Sequence, residues 1–541
     1  MSEYFDRSEF RFGSAAMATE EDIRRAGLYA ERGLELGHIR SRSLRLASDA
    51  PLITFAGSGA GKLTTSIAGN VLKGLNGTPA MIFDPRGEIF AISGDHLARI
   101  GERAYCWGPR PVHGMPVQSC NPLTFLTLDN PNFHNDCAAA MAEWVPGTGG
   151  GSDGRYFELR AQDILTAIAT ARVEQFGKTS MTDIYRVVMT IEGNPHAWAD
   201  QLDFMLFRSQ FEHVRNIAGE ILRKQEDSPR EFGSILGEIS AHMGFMHDPG
   251  VQAALAGGGF DLSCLIGPSA KDKVFLNVPA EHIGKLSPVI RIFFTVIMIL
   301  KGRAPEANRL ALMVDEAGQL GKFDTLLRAY TFARGGGTRV WAFFQDIGQI
   351  ERNYGRAAVQ TFVGSAQVRQ FFGIRDYDTA RLISDMIGQG TLEYDDELRQ
   401  QDARRRRAQL VREVMTGGDP FVAAADLRYQ NFAATHVTKQ ARSVFSPDEI
   451  LNLPEDKQIL FVSGKSVPPI LAERRRYFER QDLAGTYVGN PYHPPVDRVQ
   501  VATRFGRKEL PVLECQPPAK IADFPQLAGR PMRYVKGYPF K

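Results

Sequence analysis

Residues Leu52–Thr65 read LITFAGSGAGKLTT. The run Leu52–Phe55 is apolar and short, as a buried strand is. Gly57, Gly59 and Gly61 then enclose Ser58 and Ala60 in a tight turn, Lys62 follows, and a helical pattern opens at Leu63 and Thr64. A strand, a glycine turn and a helix start form a device for holding phosphate. Glycine lets backbone N–H groups converge on an anion, and the helix N-terminus adds partial positive charge. A lysine at this junction reaches the β and γ phosphates. The loop departs twice from the G-x-x-x-x-G-K-[ST] pattern. Ala56 stands where the first glycine belongs, and Leu63 stands where the magnesium-binding hydroxyl residue belongs. The same residues also suit a glycine-rich loop that merely packs a helix on a sheet.

A second informative stretch is Arg309–Leu320, RLALMVDEAGQL. An apolar strand delivers Asp315 and Glu316 at its C-terminal end, the edge where open α/β sheets bind ligands. An aspartate there can hold Mg²⁺ against phosphates, and a neighbouring glutamate can activate a water. The alternative is a strand end capped by solvated acids. A third apolar run, Val340–Phe344, ends in Gln345. That amide suits a γ-phosphate or lytic-water contact, or a backbone hydrogen bond. Arg334 lies in the glycine-flexed ARGGGTR loop before that strand. It suits either a helix C-terminal cation or an arginine finger acting on a neighbouring subunit.

The chain has 541 residues, which suits about three domains or one large α/β core with insertions. A net charge of +2 excludes a globally cationic surface, so any nucleic-acid contact must be local. Cys106, Cys120, Cys137, Cys264 and Cys515 are scattered without a C-x-x-C pair. They read as reduced thiols rather than a disulfide framework or zinc site. No histidine spacing matches a metal motif, and residues 1–15 do not read as a signal peptide. The longest apolar stretch, Val289–Leu300, is interrupted by Arg291. It falls short of the about 20 residues that span a bilayer and reads as a core helix of a soluble chain.

Organisation follows from pattern changes. Residues 1–50 are a charged entry segment with a helical patch at Thr19–Arg32, capped by Thr19 and Asp22. Residues 51–127 carry the P-loop, a helix to about Leu75, an Asn76-Gly77 turn, and strands at Pro79–Phe83 and Ala104–Trp107. Asp84 and Glu88, in the segment DPRGE, follow the first of these strands. From 128 to 264 helical spacing takes over. Phe157, Ala161, Ile164, Leu165 and Ile168 share one face, and Ser180 with Asp183 caps the next helix. A glycine-rich run, Gly147–Gly151, sits inside this all-α insertion. Strands return from 265 to 484, at Val274–Val278, Leu310–Val314, Val340–Phe344, Val368–Phe372 and Ile459–Val462. The fold class is therefore α/β with a mostly parallel sheet. Arg404–Arg407, with Arg399, Arg412 and Arg428 near it, and Arg474–Arg476 read as exposed charge runs or DNA contacts. Residues 485–541, rich in Pro, Gly and Arg, read as a poorly ordered tail.

The ordered series resembles the TraG/VirD-type coupling ATPases of type IV secretion and conjugation. It comprises Gly13–Leu28, the relaxed P-loop, DPRGE, Asn121–Leu123, Arg155–Leu165, DEAGQLGK (Asp315–Lys322), the Arg334 loop, Phe344–Gly355, Asp378–Gly388 and Ala441–Gly464. The resemblance implies a RecA-like nucleotide-binding domain, an all-α domain, ATP and Mg²⁺ as cofactors, and a homo-hexamer. It implies a motor at the cytoplasmic face of the inner membrane that passes DNA, through a relaxase–DNA complex, or effector proteins to the secretion channel. It assigns phosphate binding to Lys62, metal and water roles to Asp315 and Glu316, nucleotide sensing to Gln345, and a finger acting on the neighbouring subunit to Arg334. The residue after the lysine is often not Ser or Thr in this family, so Thr64 or Thr65 can assist the metal. Family members usually begin with a transmembrane region, and this chain starts about where that region would end. Two other readings stand beside the motor: a receptor that nucleotide only locks, with the α region and tail docking protein substrates, and a HerA/FtsK-like DNA translocase outside secretion.

Overall fold

Short runs of β-branched, aromatic and aliphatic residues build one eleven-stranded sheet. The computed structural model describes residues 13–147, 152–395, 397–417, 419, 426, 428–431 and 437–539. The strands are β1 (Leu34–Ile39), β2 (Arg42–Leu46), β3 (Leu52–Ala56), β4 (Ala80–Phe83), β5 (Ala104–Trp107), β6 (Lys273–Leu276), β7 (Leu310–Val314), β8 (Thr338–Phe344) and β9 (Val368–Phe372). They continue with β10 (Gln389–Asp395), β11 (Val437–Ser443), β12 (Lys457–Val462), β13 (Ile470–Glu473), β14 (Arg498–Thr503), β15 (Gly506–Cys515) and β16 (Met532–Val535). The order in the large sheet is β2-β1-β13-β12-β9-β3-β8-β7-β4-β6-β5. From β9 to β5 all neighbours are parallel. β3, β4, β6 and β7 are buried along their whole length, as expected of parallel strands covered on both faces. β12, β13, β1 and β2 add an antiparallel edge.

Between β5 and β6 the described residues contain no strand. Helices Phe133–Trp144, Ser152–Phe176, Met181–Gly193, Pro195–Asp203, Glu212–Asp227, Pro229–Met243 and Pro249–Leu255 fill this interval. Ala161, Ile164, Leu165 and Ile168 are buried together, and the Asp183 N–H donates to Ser180 Oγ at 3.1 Å. Of the glycine-rich run, 148–151 lie outside the described residues.

Helix Ile283–Gly302 is the apolar stretch read from sequence, and it lies in the core. Among the described residues it is long and apolar enough to cross a membrane, yet 72% of its most apolar window is buried. Arg291 interrupts it for a structural reason. Its guanidinium is buried and donates to Glu143 O at 2.9 Å and Leu320 O at 2.8 Å, while Glu143 Oε2 lies 3.4 Å from its Nε.

Three expectations need correction. The helical patch at Thr19–Arg32 shortens to Glu20–Arg25, with its Thr19–Asp22 capping box formed. The β1–β2 hairpin follows and joins the large sheet. The helix after the P-loop begins as a π turn, Leu63–Ile67, and ends at Val71. Residues 485–539 are not a poorly ordered tail. β14, β15 and β16 form a sheet whose Val499, Val501 and Val535 pack on Ala68, Leu72 and Ile92. Asp95, buried in helix Glu88–Arg99, pairs with Arg530 and Arg533 at 3.0 and 3.3 Å. Composition signalled disorder, but partners far away in sequence supply the burial.

Candidate functional site

The strand order places β4, β7, β8 and β3 side by side, so the segments that follow them open on one edge. A cleft of about 1510 Å³ lies there, lined by Ser58–Thr65, Asp84, Glu88, Asp315, Glu316 and Gln345. It exceeds the ~300–1,000 Å³ of ordinary small-molecule sites.

The loop is shaped by backbone constraints. A Cβ on Gly57 would sit 2.4 Å from the Gly373 carbonyl oxygen at the end of β9. The Gly57 N–H donates to that same oxygen at 3.2 Å, and the Ala60 N–H donates to Gly57 O. Gly59 and Gly61 take left-handed conformations, φ +73° and +82°. Ser58 and Gly59 form the exposed tip. Lys62 is buried, and its Nζ lies 2.6 Å from Glu316 Oε1. Gln345 Nε2 donates to Glu316 Oε2 at 3.0 Å. Lys62, Glu316 and Gln345, drawn from three strand ends, thus form one polar chain. Glu316 holds a left-handed φ of +49°, a conformation uncommon outside glycine and often found at functional sites.

Two acids face this chain under electrostatic load. Desolvation lifts Asp315 to about 6, with Glu316 and Glu88 adding repulsion and Lys62 opposing. Desolvation lifts Asp84 to about 7, against a hydrogen bond from the Phe90 N–H. Groups so perturbed in a cleft make it a functional-site candidate. Among the described residues no three His, Cys, Asp or Glu side chains are grouped to hold a metal by themselves.

Leu63 lines the cleft. Its half-buried side chain packs against two apolar clusters, one of them formed with Tyr477, Tyr487 and Val499. Thr64 Oγ1 and Thr65 Oγ1 both donate to Gly61 O, at 3.2 and 2.9 Å.

Sequence reading missed Arg474, grouping it with an exposed charge run. It is buried. Its guanidinium stacks 3.6 Å over Phe372 and donates to Ala60 O, to Thr65 Oγ1 at 2.9 Å and to Glu455 O at 2.8 Å. Period-two alternation held the signal, because Ile470, Ala472 and Arg474 share the buried face of β13 and its continuation. The structure does not bring Arg334 to the cleft. It is exposed in the turn before β8, whereas Gln345 follows the far end of that strand. At about 3.3 Å per residue the two lie roughly 20 Å apart. Arg404–Arg407 are exposed on helix Glu397–Met415.

The family model described as Type IV secretory system Conjugative DNA transfer matches residues 16–413 and 428–494. The chain belongs to this family. It is 24% identical over 442 residues to the probable conjugal transfer protein TraG of Sinorhizobium fredii, covering 80% of this chain and 62% of that protein. It is 22% identical over 455 residues to the type IV secretion system-coupling protein VirD4 of Bartonella henselae, covering 82% and 65%. The chain thus spans less than two thirds of the length of these curated relatives. Among solved structures, the bacterial conjugative coupling protein TrwBdeltaN70 in complex with sulphate superposes with a TM-score of 0.58 at 18% identity, covering 87% of this chain and 97% of that one. Plasmid coupling protein TrwB in complex with ADP and Mg²⁺ gives 0.57 at 17%, with the same coverage. The fold is therefore the RecA-like α/β fold of these proteins, with its mostly parallel sheet.

Proposed function

We propose that this chain is a type IV secretion and conjugation coupling protein that binds ATP with Mg²⁺ and hydrolyses it. The observation that carries the reading is the Lys62–Glu316–Gln345 chain at one sheet edge, beside the glycine loop. A phosphate oxygen and a carboxylate compete for the same ammonium. A γ-phosphate on Lys62 releases Glu316 Oε1, which then accepts the proton of the attacking water. Gln345 stays on the other carboxylate oxygen and registers the exchange. Asp315 and Thr64, which both line the cleft, would hold the Mg²⁺ that accompanies the nucleotide. The bound ion would neutralise charge developing on the phosphates. Family membership and the curated relatives support recruitment of a relaxase–DNA complex or effector proteins. Delivery to a secretion channel at the cytoplasmic face of the inner membrane, by a homo-hexamer, completes the proposal. Arg334 is too far from its own cleft to act there, which suits a finger on a neighbour's site. The domain division proposed is 51–127 with 265–484 as the nucleotide-binding unit and 128–264 as the helical unit.

Steady-state ATP hydrolysis, with and without single- and double-stranded DNA and with oligomeric state measured in the same sample, tests this. Wild type should turn over faster with DNA, and Lys62→Ala should not. Equal slow rates for both proteins would sink the motor. The packing of Leu63 into apolar clusters favours a second reading, a receptor locked by nucleotide. It predicts Lys62-dependent ATP binding without turnover.

A further inference from the structure

The cleft is far larger than its phosphate cradle, and its two walls differ in chemistry. One wall carries Arg375, Arg474 and Arg476, cations suited to a polyanion. The other is made farther along the chain, between 478 and 500. Phe478, His493, Pro494, Pro495 and Gln500 line it, with Glu479 and Arg498 among them, so flat apolar faces and polar groups alternate with charge. The His493 and Gln500 side chains are exposed.

This second wall is held rigidly. Asn490 Nδ2 donates to Glu88 Oε2 at 2.8 Å, and the Arg86 guanidinium lies 5.7 Å from the Tyr492 ring centroid. The segment is thereby fastened to the DPRGE turn. β14 alternates, so that Val499 and Val501 are buried against the P-loop helix while Arg498 and Gln500 are exposed. Gln500 is paired in register with Glu509 of β15, which also lines the cleft.

We propose that Phe478 and the segment His493–Gln500 form the nucleoside-binding wall of the cleft, and that the β14–β16 sheet exists to hold it. Phe478 and the two prolines offer flat apolar faces to a purine ring, a contact type every base can make. Gln500 carries an amide donor and acceptor for the base edge, and His493 a ring nitrogen for base or ribose. The inference rests on the nucleotide reading above.

Inorganic tripolyphosphate separates the two walls, because it engages the cradle and has no nucleoside. Binding of ATP and of tripolyphosphate, each with Mg²⁺, would be measured calorimetrically on wild type, Lys62→Ala and the double variant His493→Ala/Gln500→Ala. The double variant should lose about tenfold in ATP affinity and keep its tripolyphosphate affinity. Circular dichroism and the melting temperature establish that it folds. Equal losses for both ligands, or none, with wild-type ATP binding still dependent on Lys62, would overturn the wall and leave the nucleotide reading standing. No Lys62-dependent binding of either ligand would overturn both.

Discussion

Two buried ion pairs flank the P-loop helix, and they are built for opposite ends. Lys62–Glu316 is a single contact between flexible chains, with Glu316 24% exposed. Arg480–Glu35 is bidentate, with side chains only 3% and 5% exposed. Lys73 and Asp482 complete that cluster. Desolvation opposes charge on Glu35 and Asp482, but Arg480 and Lys73 outweigh it and hold both acids below their ordinary values. On the proposed reading, the first pair exchanges its carboxylate for a phosphate. The second locks β1, the P-loop helix and the entry to the C-terminal sheet into one body. A polyvalent, desolvated cluster gives fixity, and a monovalent pair at a cleft gives exchange.

Glu35→Gln leaves Arg480 and Lys73 sharing Asp482 as their one carboxylate in the cluster and should cost about 3 kcal/mol in denaturant unfolding. A loss under 1 kcal/mol would demote the cluster to an ordinary surface pair. Lys62→Ala should lower turnover by about 100- to 1,000-fold, the scale of losing a transition-state donor, with a melting temperature close to wild type. A collapse in stability instead would make the first pair structural too. Glu316→Gln should slow hydrolysis about 100-fold while equilibrium dialysis still finds ATP bound, because the anion competing for Lys62 has been removed. Arg474→Met should raise the KM for ATP about tenfold with a smaller change in kcat, since Ala60 O and Thr65 lose a shared donor.

The smallest effect sharpens the electrostatics. Asp84 is lifted from 3.8 to about 7, so the native state holds its proton over a range where the unfolded chain has released it. Stability from this group is greatest below pH 3.8 and falls as pH rises towards 7. Asp84→Asn should therefore melt about 2 °C above wild type at pH 8, and the difference should vanish near pH 4. Scanning calorimetry across that range checks the sign.

Strands β5, β7 and β9 were legible to the residue: β7 is the continuous apolar run LALMV of a parallel strand buried on both faces, and β9, VRQFF, is marked by Val368 and the Phe371–Phe372 pair on either side of Arg369 and Gln370. The cleft residues Lys62, Glu316 and Gln345 were legible because each directly follows such a strand or its turn. The antiparallel edge was not. β1 reads LELGHI, and its buried Glu35 and His38 disguise it. Their partners are 445 residues on at Arg480 for Glu35, and local pattern holds no trace of them. Arg474 was hidden in the same way, inside a triplet of arginines of which only the first points inward. The C-terminal sheet was hidden by its own Pro, Gly and Arg content, since Asp95 neutralises Arg530 and Arg533 from another part of the chain.

Arg291 sets a mechanical relation between the two halves of the molecule. One guanidinium joins Leu320, four residues beyond Glu316, to the last turn of helix Phe133–Trp144. The Ala317–Leu320 turn that follows Glu316 is thereby fastened, through a single buried side chain, to the first helix of the helical region. The linkage is one guanidinium long and buried, so the segment behind Glu316 and the end of the first helix share a single anchor that solvent does not reach.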